Sequence, residues 1–444
     1  MTTGIAGQAR PTGRRTMGKI RVQMAGRFLP NFRKSGNASY GMGMMNYLKE
    51  RGFDLEYLVL TDTPGGRKPW YLIPRELRNV SRVRAIDNLS IGPFLIRRVG
   101  FWTWMVAVLA PIYRRLGVIR TWYRALRDAA GGKPLDGAST AEEPQWDCAP
   151  TEREISFVRQ SAGFYRPHTL MIYYAYMTPI FDALPESASV TKILVTVDVL
   201  HQRRESFKQA GLGGRFMDWT EETESEMLRN NDLIVAIQSE DAEALKRMAP
   251  DRAMLIAGHG TEARRRAGDA VAGRCLFVGG AGAQNLQGLE WFLNRVWPKV
   301  LAALPEARLH VCGGVCEMIA QTRPGVLFRG RLKSLEAEYE AAEVCVVPLL
   351  AGSGLKIKLI EALAHGLACV TTPVGAQGIP GLPDCAIVTS DAEEFAAAVI
   401  DLLKDSSRRQ EFEERAHRFA ATNFSPEAVF GPLADFIQEN ARLQ

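Results

Sequence analysis

The sequence predicts an α/β protein built from two parallel-sheet domains in tandem. Short apolar runs alternate with amphipathic helical stretches, and the alternation occurs twice, interrupted by a polar loop at 258–268. Length agrees, since 444 residues suffice for two domains that each bury a core.

Residues 19–25 (KIRVQMA) read as a buried strand, followed by a Gly/Asn loop through Ser35, Gly36 and Asn37. A helix over 40–51 stops at Gly52, and 55–60 is a second strand. That strand–loop–helix–strand order opens a parallel sheet. Further strands are predicted at 170–174, 193–197 and 233–237. Region 88–150 breaks the alternation, running from an arginine-flanked aromatic stretch into a Gly/Ala/Glu/Pro-rich linker, and reads as an insertion. The second series has strands at 275–278, 308–312, 326–328, 344–348 and 369–372, closed by helices at 392–403 and 408–423. The predicted domains are therefore 19–257 and 258–424, with a disordered polar tail at 1–18 and a helix at 425–444 that returns to the first domain. Ligands bind at the carboxyl ends of strands in open parallel sheets, so the cleft between the domains is the expected site.

Composition excludes several classes. Seven cysteines are scattered, and Cys312 and Cys316 are the one close pair, which argues against a disulfide framework or a metal cluster. Reduced thiols fit the cytoplasm. The longest apolar run, 99–113, holds 15 residues and contains Pro111. It falls short of the ~20 needed to span a bilayer. Residues 1–150 carry 24 Lys+Arg against 11 Asp+Glu, whereas 151–444 carry 31 against 38. So basic an N-terminal part points to an anionic partner, either acidic lipid headgroups or a phosphorylated substrate. No nucleic-acid-binding motif is present, and nucleic acid is not expected.

The stretch AGSGLKIKLIEALAHG (351–366) carries the most chemistry. Gly352 and Gly354 form a turn after the strand 344–348, and 355–364 reads as a helix stopped by Gly366. Lys356 and Lys358 fall in its first turn, where the helix dipole disfavours a cation by roughly 0.3–1 kcal/mol. A bound phosphate reverses that balance, since helix N-termini at strand ends are anion sites. A surface pair of Lys358 with Glu361, worth ~0.2–0.5 kcal/mol, accounts for neither Lys356 nor the glycines.

With its flanks, PLLAGSGLKIKLIEALAHGLACVTTPVGAQGI resembles the C-terminal signature of retaining, nucleotide-sugar-dependent glycosyltransferases of family four, which have the GT-B fold. FVGGAGAQNLQGLEWFLNRVWP is similar to the first strand–loop–helix of their donor domain, and GVLFRGRLKSLEAEYEAAEVCVVPL to their base-binding strand and following helix. VTVDVLHQRRESF and LRNNDLIVAIQSEDAEAL resemble a bacterial subgroup of surface-polysaccharide assembly.

The resemblance implies the following roles. Glu361 binds the donor ribose hydroxyls, because a carboxylate accepts two hydroxyl protons at once. Lys356 and Lys358 neutralise the diphosphate leaving group. Gly279, Gly280 and Gly282 let backbone approach the same phosphates, Arg331 and Leu332 frame the base, and Ser353, Gly354 and Leu355 complete the donor loop. Asp198, His201 and Lys358 are the catalytic candidates, and Gly36, Asn37 and Arg203 lie on the acceptor side. His259 and His365 read as structural or solvated loop histidines. The chain departs from the family pattern in three places. Ser353 stands where a first glutamate grips the sugar, Val197 stands where a histidine precedes Asp198, and GGAGAQN lacks the usual arginine and lysine.

Segment 96–127 interleaves Phe101, Trp102, Trp104, Tyr113, Trp122 and Tyr123 with seven arginines, a pattern suited to the interface of an anionic membrane. The implied activity is retaining transfer from a nucleoside-diphosphate sugar to a saccharide, lipid-linked at the inner face of the plasma membrane. No cofactor and no metal are expected. The rival readings are a nucleotide-sugar 2-epimerase of the same fold and a non-catalytic nucleotide-sugar-binding subunit.

Overall fold

The computed structural model describes residues 19–29, 36–61, 70–98, 148–182, 184–185, 189–209, 219–266, 268, 270–319, 322–352 and 354–444. The tail at 1–18, most of the insertion (99–147) and Ser353 lie outside the described residues.

The first domain runs β1 (Arg21–Gly26), α1 (Gly36–Glu50), β2 (Asp54–Val59), β3 (Trp70–Leu72), α2 (Arg75–Val80), β4 (Arg82–Ala85), β5 (Asn88–Ile91) and β6 (Phe94–Arg97). It continues with α3 (Glu152–Tyr165), β7 (Thr169–Tyr173), β8 (Thr191–Thr196), α4 (Leu200–Gln209), α5 (Glu221–Met227), β9 (Leu233–Ala236), α6 (Ser239–Met248) and β10 (Ala253–Ile256). Seven strands form one sheet in the order β10-β9-β8-β7-β1-β2-β4, and every pairing in it is parallel. A sheet covered on both faces needs apolar side chains at odd and even positions alike. Thus Met171, Ile193 and Val195 enter one core, and Leu170, Ile172 and Leu194 enter the other. β3, β6 and β5 form a separate antiparallel sheet. The break in the parallel pattern therefore begins at Trp70, upstream of the predicted residue 88.

Helix α1 starts at Gly36, so Gly36 and Asn37 belong to its first turn and not to the loop expected there. The apolar residues Met42, Met45 and Leu48 make the register helical through this glycine-containing stretch, since all three are buried on one face. Helix α3 begins with a capping box in which Thr151 and Glu154 satisfy each other's backbone N–H groups. Arg27 clamps the same carboxylate at 2.7 Å, fixing the chain after β1.

The second domain comprises β11 (Arg274–Val278), α7 (Ala283–Trp291), α8 (Trp297–Ala303), β12 (Arg308–Cys312), β13 (Val326–Gly330), α9 (Glu336–Ala341), β14 (Val344–Val347), α10 (Ile357–Ala364), β15 (Ala368–Thr371), β16 (Ile387–Val388), α11 (Ala392–Lys404) and α12 (Ser406–Asn423). Its sheet order is β13-β12-β11-β14-β15-β16, again wholly parallel. A π-turn at Phe292–Val296 joins α7 to α8.

The last helix, α13 (Pro426–Leu443), crosses back to the first domain. Phe430, Leu433 and Ile437 are buried in the core that α1 covers, and Tyr47 donates to Glu427 at 2.6 Å. Burying one such phenyl ring contributes about 1.5–3 kcal/mol, so α13 fastens the two domains. No helix of the described residues is long and apolar enough to cross a membrane.

Candidate active site

The carboxyl ends of β11, β14 and β8 meet at the cleft, and each contributes one loop. The loop after β14 turns on Gly352 (φ +124°) and Gly354 (φ +75°), left-handed conformations that a glycine adopts without steric cost. Helix α10 then begins at Ile357, which makes Lys356 its N-cap and leaves Lys358 alone in the first turn. The Lys356 ammonium folds back and donates to the Gly354 carbonyl at 2.5 Å. Lys358 does not pair with Glu361; its Nζ donates to Asn285 Oδ1 and lies 5.6 Å from the Phe277 ring centroid. Neither ammonium has a carboxylate partner within hydrogen-bond distance among the described residues. Burial pulls the Lys356 pKa down to about 8, although Asp241, Asp198 and Glu240 oppose the shift. Burial likewise brings Lys358 to about 8, and the Lys356 charge adds to the depression. Two cations held at such a cost are ready to be neutralised by an anion.

The loop after β11 faces them. Gly282 caps α7 with no side-chain acceptor, which leaves the N–H groups of Ala283 and Gln284 without a side-chain cap, whereas the Asn285 N–H donates to the Gly282 carbonyl at 3.0 Å. Asn285 ties the two loops together, because its Nδ2 donates to the Gly280 carbonyl at 3.1 Å while its Oδ1 accepts from Lys358. Gly279 is wedged against Gly313, where a Cβ would sit 2.2 Å from the Gly279 oxygen. Gly313 also has φ +102°, so this position admits glycine alone.

Glu361 lies one turn into α10 and accepts a hydrogen bond from Tyr339 at 3.1 Å. Burial raises its pKa, and the Tyr339 hydroxyl partly offsets this. Arg331, just beyond β13, is exposed and donates to Glu317 at 2.6 Å. Leu332 is half-buried against the second-domain core, and Leu355 packs there too while lining the cleft.

The first-domain wall differs in kind. Asp198 follows β8, pairs with Arg203 at 3.2 Å, and lies opposite Gly354, whose Cβ, if present, would be 3.6 Å from Asp198 Oδ1. Burial raises the Asp198 pKa against the pull of Arg203. Val197 is buried beside it. His201 sits in the first turn of α4, where its Nδ1 meets the fully buried Glu224 at 2.7 Å. The same carboxylate accepts the backbone N–H groups of Leu200 and His201 and so caps α4. His201 is thus held by its own domain. The side chains of Gly36 and Asn37 lie outside the described set.

A pocket of about 130 Å³ between the domains is lined by Tyr40, Asp198, His259 and Gly354, among others. His259 is 6% exposed, which selects the structural reading over the solvated one. Its Nε2 is 4.0 Å from Glu361, and burial lowers its pKa to about 4, so the ring is neutral at pH 7. Its one sequence signal is its place in the glycine-flanked segment that joins the two sheets. His365 is also ordered, stacked on Tyr339 with centroids 4.6 Å apart.

Comparison with known proteins bears on the fold. Residues 272–405 match the family model described as glycosyl transferases group 1. An uncharacterized 44.6 kDa protein in the cps region of Klebsiella pneumoniae is 27% identical over 171 residues, 36% of this chain and 44% of that one. The match spans less than half the length of that relative. Among solved structures, sucrose-phosphate synthase from Thermosynechococcus elongatus superposes with a TM-score of 0.62 at 14% identity, covering 96% of this chain and 100% of that one. Anabaena HepE in complex with UDP gives 0.61 at 11% identity, covering 95% and 100%. The chain has the GT-B fold, and within its second domain residues 272–405 match the glycosyl transferases group 1 model.

Proposed function

We propose that this protein transfers a sugar from a nucleoside diphosphate to a saccharide hydroxyl, with retention at the anomeric carbon. One observation carries the reading: two glycine loops converge on the buried Lys356 and the half-buried Lys358, cations that lack a carboxylate partner among the described residues. The diphosphate occupies that convergence. Uncapped N–H groups of α7 and both ammonium groups then stabilise the negative charge that grows as the donor C1–O bond breaks. Glu361 takes the ribose hydroxyls, held in place by Tyr339. The acceptor oxygen bonds to C1 from the face the diphosphate leaves, and its proton passes to a departing phosphate oxygen. Asp198 and the neutral His259 border the sugar between the domains. No divalent cation takes part in this scheme, because the two lysines supply the charge.

The Anabaena neighbour was solved with UDP, which supports UDP-sugars as the first donors to test. The cps-region relative supports a surface-polysaccharide acceptor, lipid-linked and met at an anionic membrane face. The test is nucleoside diphosphate release from purified protein, with and without lipid-linked saccharide acceptors. Release that requires acceptor supports transfer. Donor converted without acceptor supports a 2-epimerase, and binding without turnover supports a non-catalytic subunit.

A further inference from the structure

The antiparallel sheet β3–β6–β5 exposes a face that none of the described residues of the first domain covers. Trp70, Leu72, Leu89, Ile91 and Phe94 are each between 41% and 56% exposed. Ile96 lies between Trp70 and Leu89 in register, and Phe94 lies between Leu72 and Ile91. Directly paired residues share a face, so these six side chains form two cross-strand rows on one side. The other side holds Tyr71, Ser90 and Leu95. Leu95 is fully buried in the domain core, and Ser90 donates to the Val83 carbonyl of the main sheet at 3.0 Å. The inner face is therefore anchored, and the outer face, which an antiparallel sheet ordinarily makes polar, is apolar throughout.

Charge is arranged around this face. The row Leu72–Phe94–Ile91 lies at the Gly92–Pro93 hairpin tip, and Arg97 and Arg98 end β6 at the opposite side. Arg98 is exposed, and by strand alternation it follows Phe94 and Ile96 onto the apolar side. Arg75 and Arg78, in the helix that directly follows β3, are exposed too. Residues 70–98 hold six arginines against Glu76 and Asp87, and Asp87 is paired with Arg153.

We propose that this face docks on an anionic lipid bilayer, with the hairpin tip in the headgroup–acyl boundary and the arginines at the phosphates. An apolar centre ringed by cations fits such a surface. A two-fold contact between copies would instead set the arginine collars against each other. The basic balance of residues 1–150 adds a general attraction to anionic lipid. The proposal rests on the reading that the acceptor is met at a membrane, and it adds the surface that meets it.

Sedimentation of the full chain with phosphatidylcholine vesicles, with and without phosphatidylglycerol, tests the docking apart from any turnover. The wild type should sediment only with the anionic vesicles. A triple variant, Leu72→Ser, Ile91→Ser and Phe94→Ser, should partition roughly tenfold less or weaker still. Its thermal midpoint and UDP affinity should be unchanged, because the three side chains are exposed and far in sequence from the donor loops. Arg75→Gln with Arg98→Gln should weaken binding and flatten its salt dependence. A wild type that ignores anionic vesicles overturns the proposal, as does a triple variant that sediments like the wild type. A wild-type dimer that the triple substitution makes monomeric, with vesicle binding unaltered, assigns the face to a second copy instead. Failure of vesicle binding alongside acceptor-dependent turnover would remove the docking surface and leave the proposed activity standing.

Discussion

The two walls of the cleft hold their charges in opposite ways. On the first-domain wall three charged or titratable side chains already have a partner: Asp198 has Arg203, His201 has Glu224, and Asp241 has Gln238 at 2.8 Å. On the second-domain wall Lys356 and Lys358 rest on a carbonyl and an amide oxygen, with their pKa values pulled down by burial. A wall whose charges are satisfied orients a neutral ligand, whereas a wall with uncompensated cations waits for an anion. The contrast teaches where binding energy is stored before any ligand arrives.

The sharpest way to break this contrast is to remove a cation. Lys358→Ala should lower kcat/KM by about 10²–10³, the usual cost of deleting one group that stabilises a leaving oxyanion. Asp198→Asn should cost less, and the opposite ranking in the same assay would reverse the roles of the walls. Glu361→Ala should raise the donor KM roughly tenfold, since a hydrogen-bonded charged group contributes about 1.5–3 kcal/mol, with a smaller change in kcat. A kcat loss without a KM change would take Glu361 away from the ribose.

Protonation offers a third probe. Both lysines have pKa values near 8 when no anion is bound, and an anion raises them, so donor affinity should fall as pH rises above 8. The slope approaches tenfold per pH unit for each lysine that must be charged. The sign for stability is the reverse. Between pH 8 and 10.5 the unfolded chain holds these protons more tightly than the folded one, so the ligand-free protein should gain stability as pH rises through that window. Calorimetric scans of wild type and Lys358→Ala at pH 7 and pH 9 check this, and a pH response unchanged in the variant would contradict it. The smallest effect is expected at Arg331, whose exposed pair with Glu317 is worth little. Arg331→Ala should change donor KM by less than about threefold, and a larger change would mean that its guanidinium reads the base.

Much of the fold is legible in the sequence because parallel strands buried on both faces leave continuous apolar runs, such as 193–197 and 344–348. The small sheet at β3, β5 and β6 is not, since strands of three or four residues with outward apolar side chains carry no periodicity to read. In the cleft, AGSGLKIKLIEALAHG poses the problem of two cations at a helix end, and local pattern is enough to see it. What pattern misses is tertiary. Lys358 meets Asn285 across 73 positions of sequence, and His259 owes its burial to the meeting of two domains. His201 stands out in the string VDVLHQRRESF, but Glu224, the partner that holds its ring, lies 23 residues away and is not legible there.

The central claim is that the loops at 279–285 and 352–358 form one diphosphate site. Isothermal titration of UDP, GDP and ADP into wild type and Lys358→Ala at pH 7 tests it most directly. The account predicts that at least one diphosphate binds the wild type and binds the variant at least tenfold more weakly, as the loss of one charge-assisted contact requires. Equal affinity for both proteins, or no binding of any diphosphate to the wild type, would contradict it.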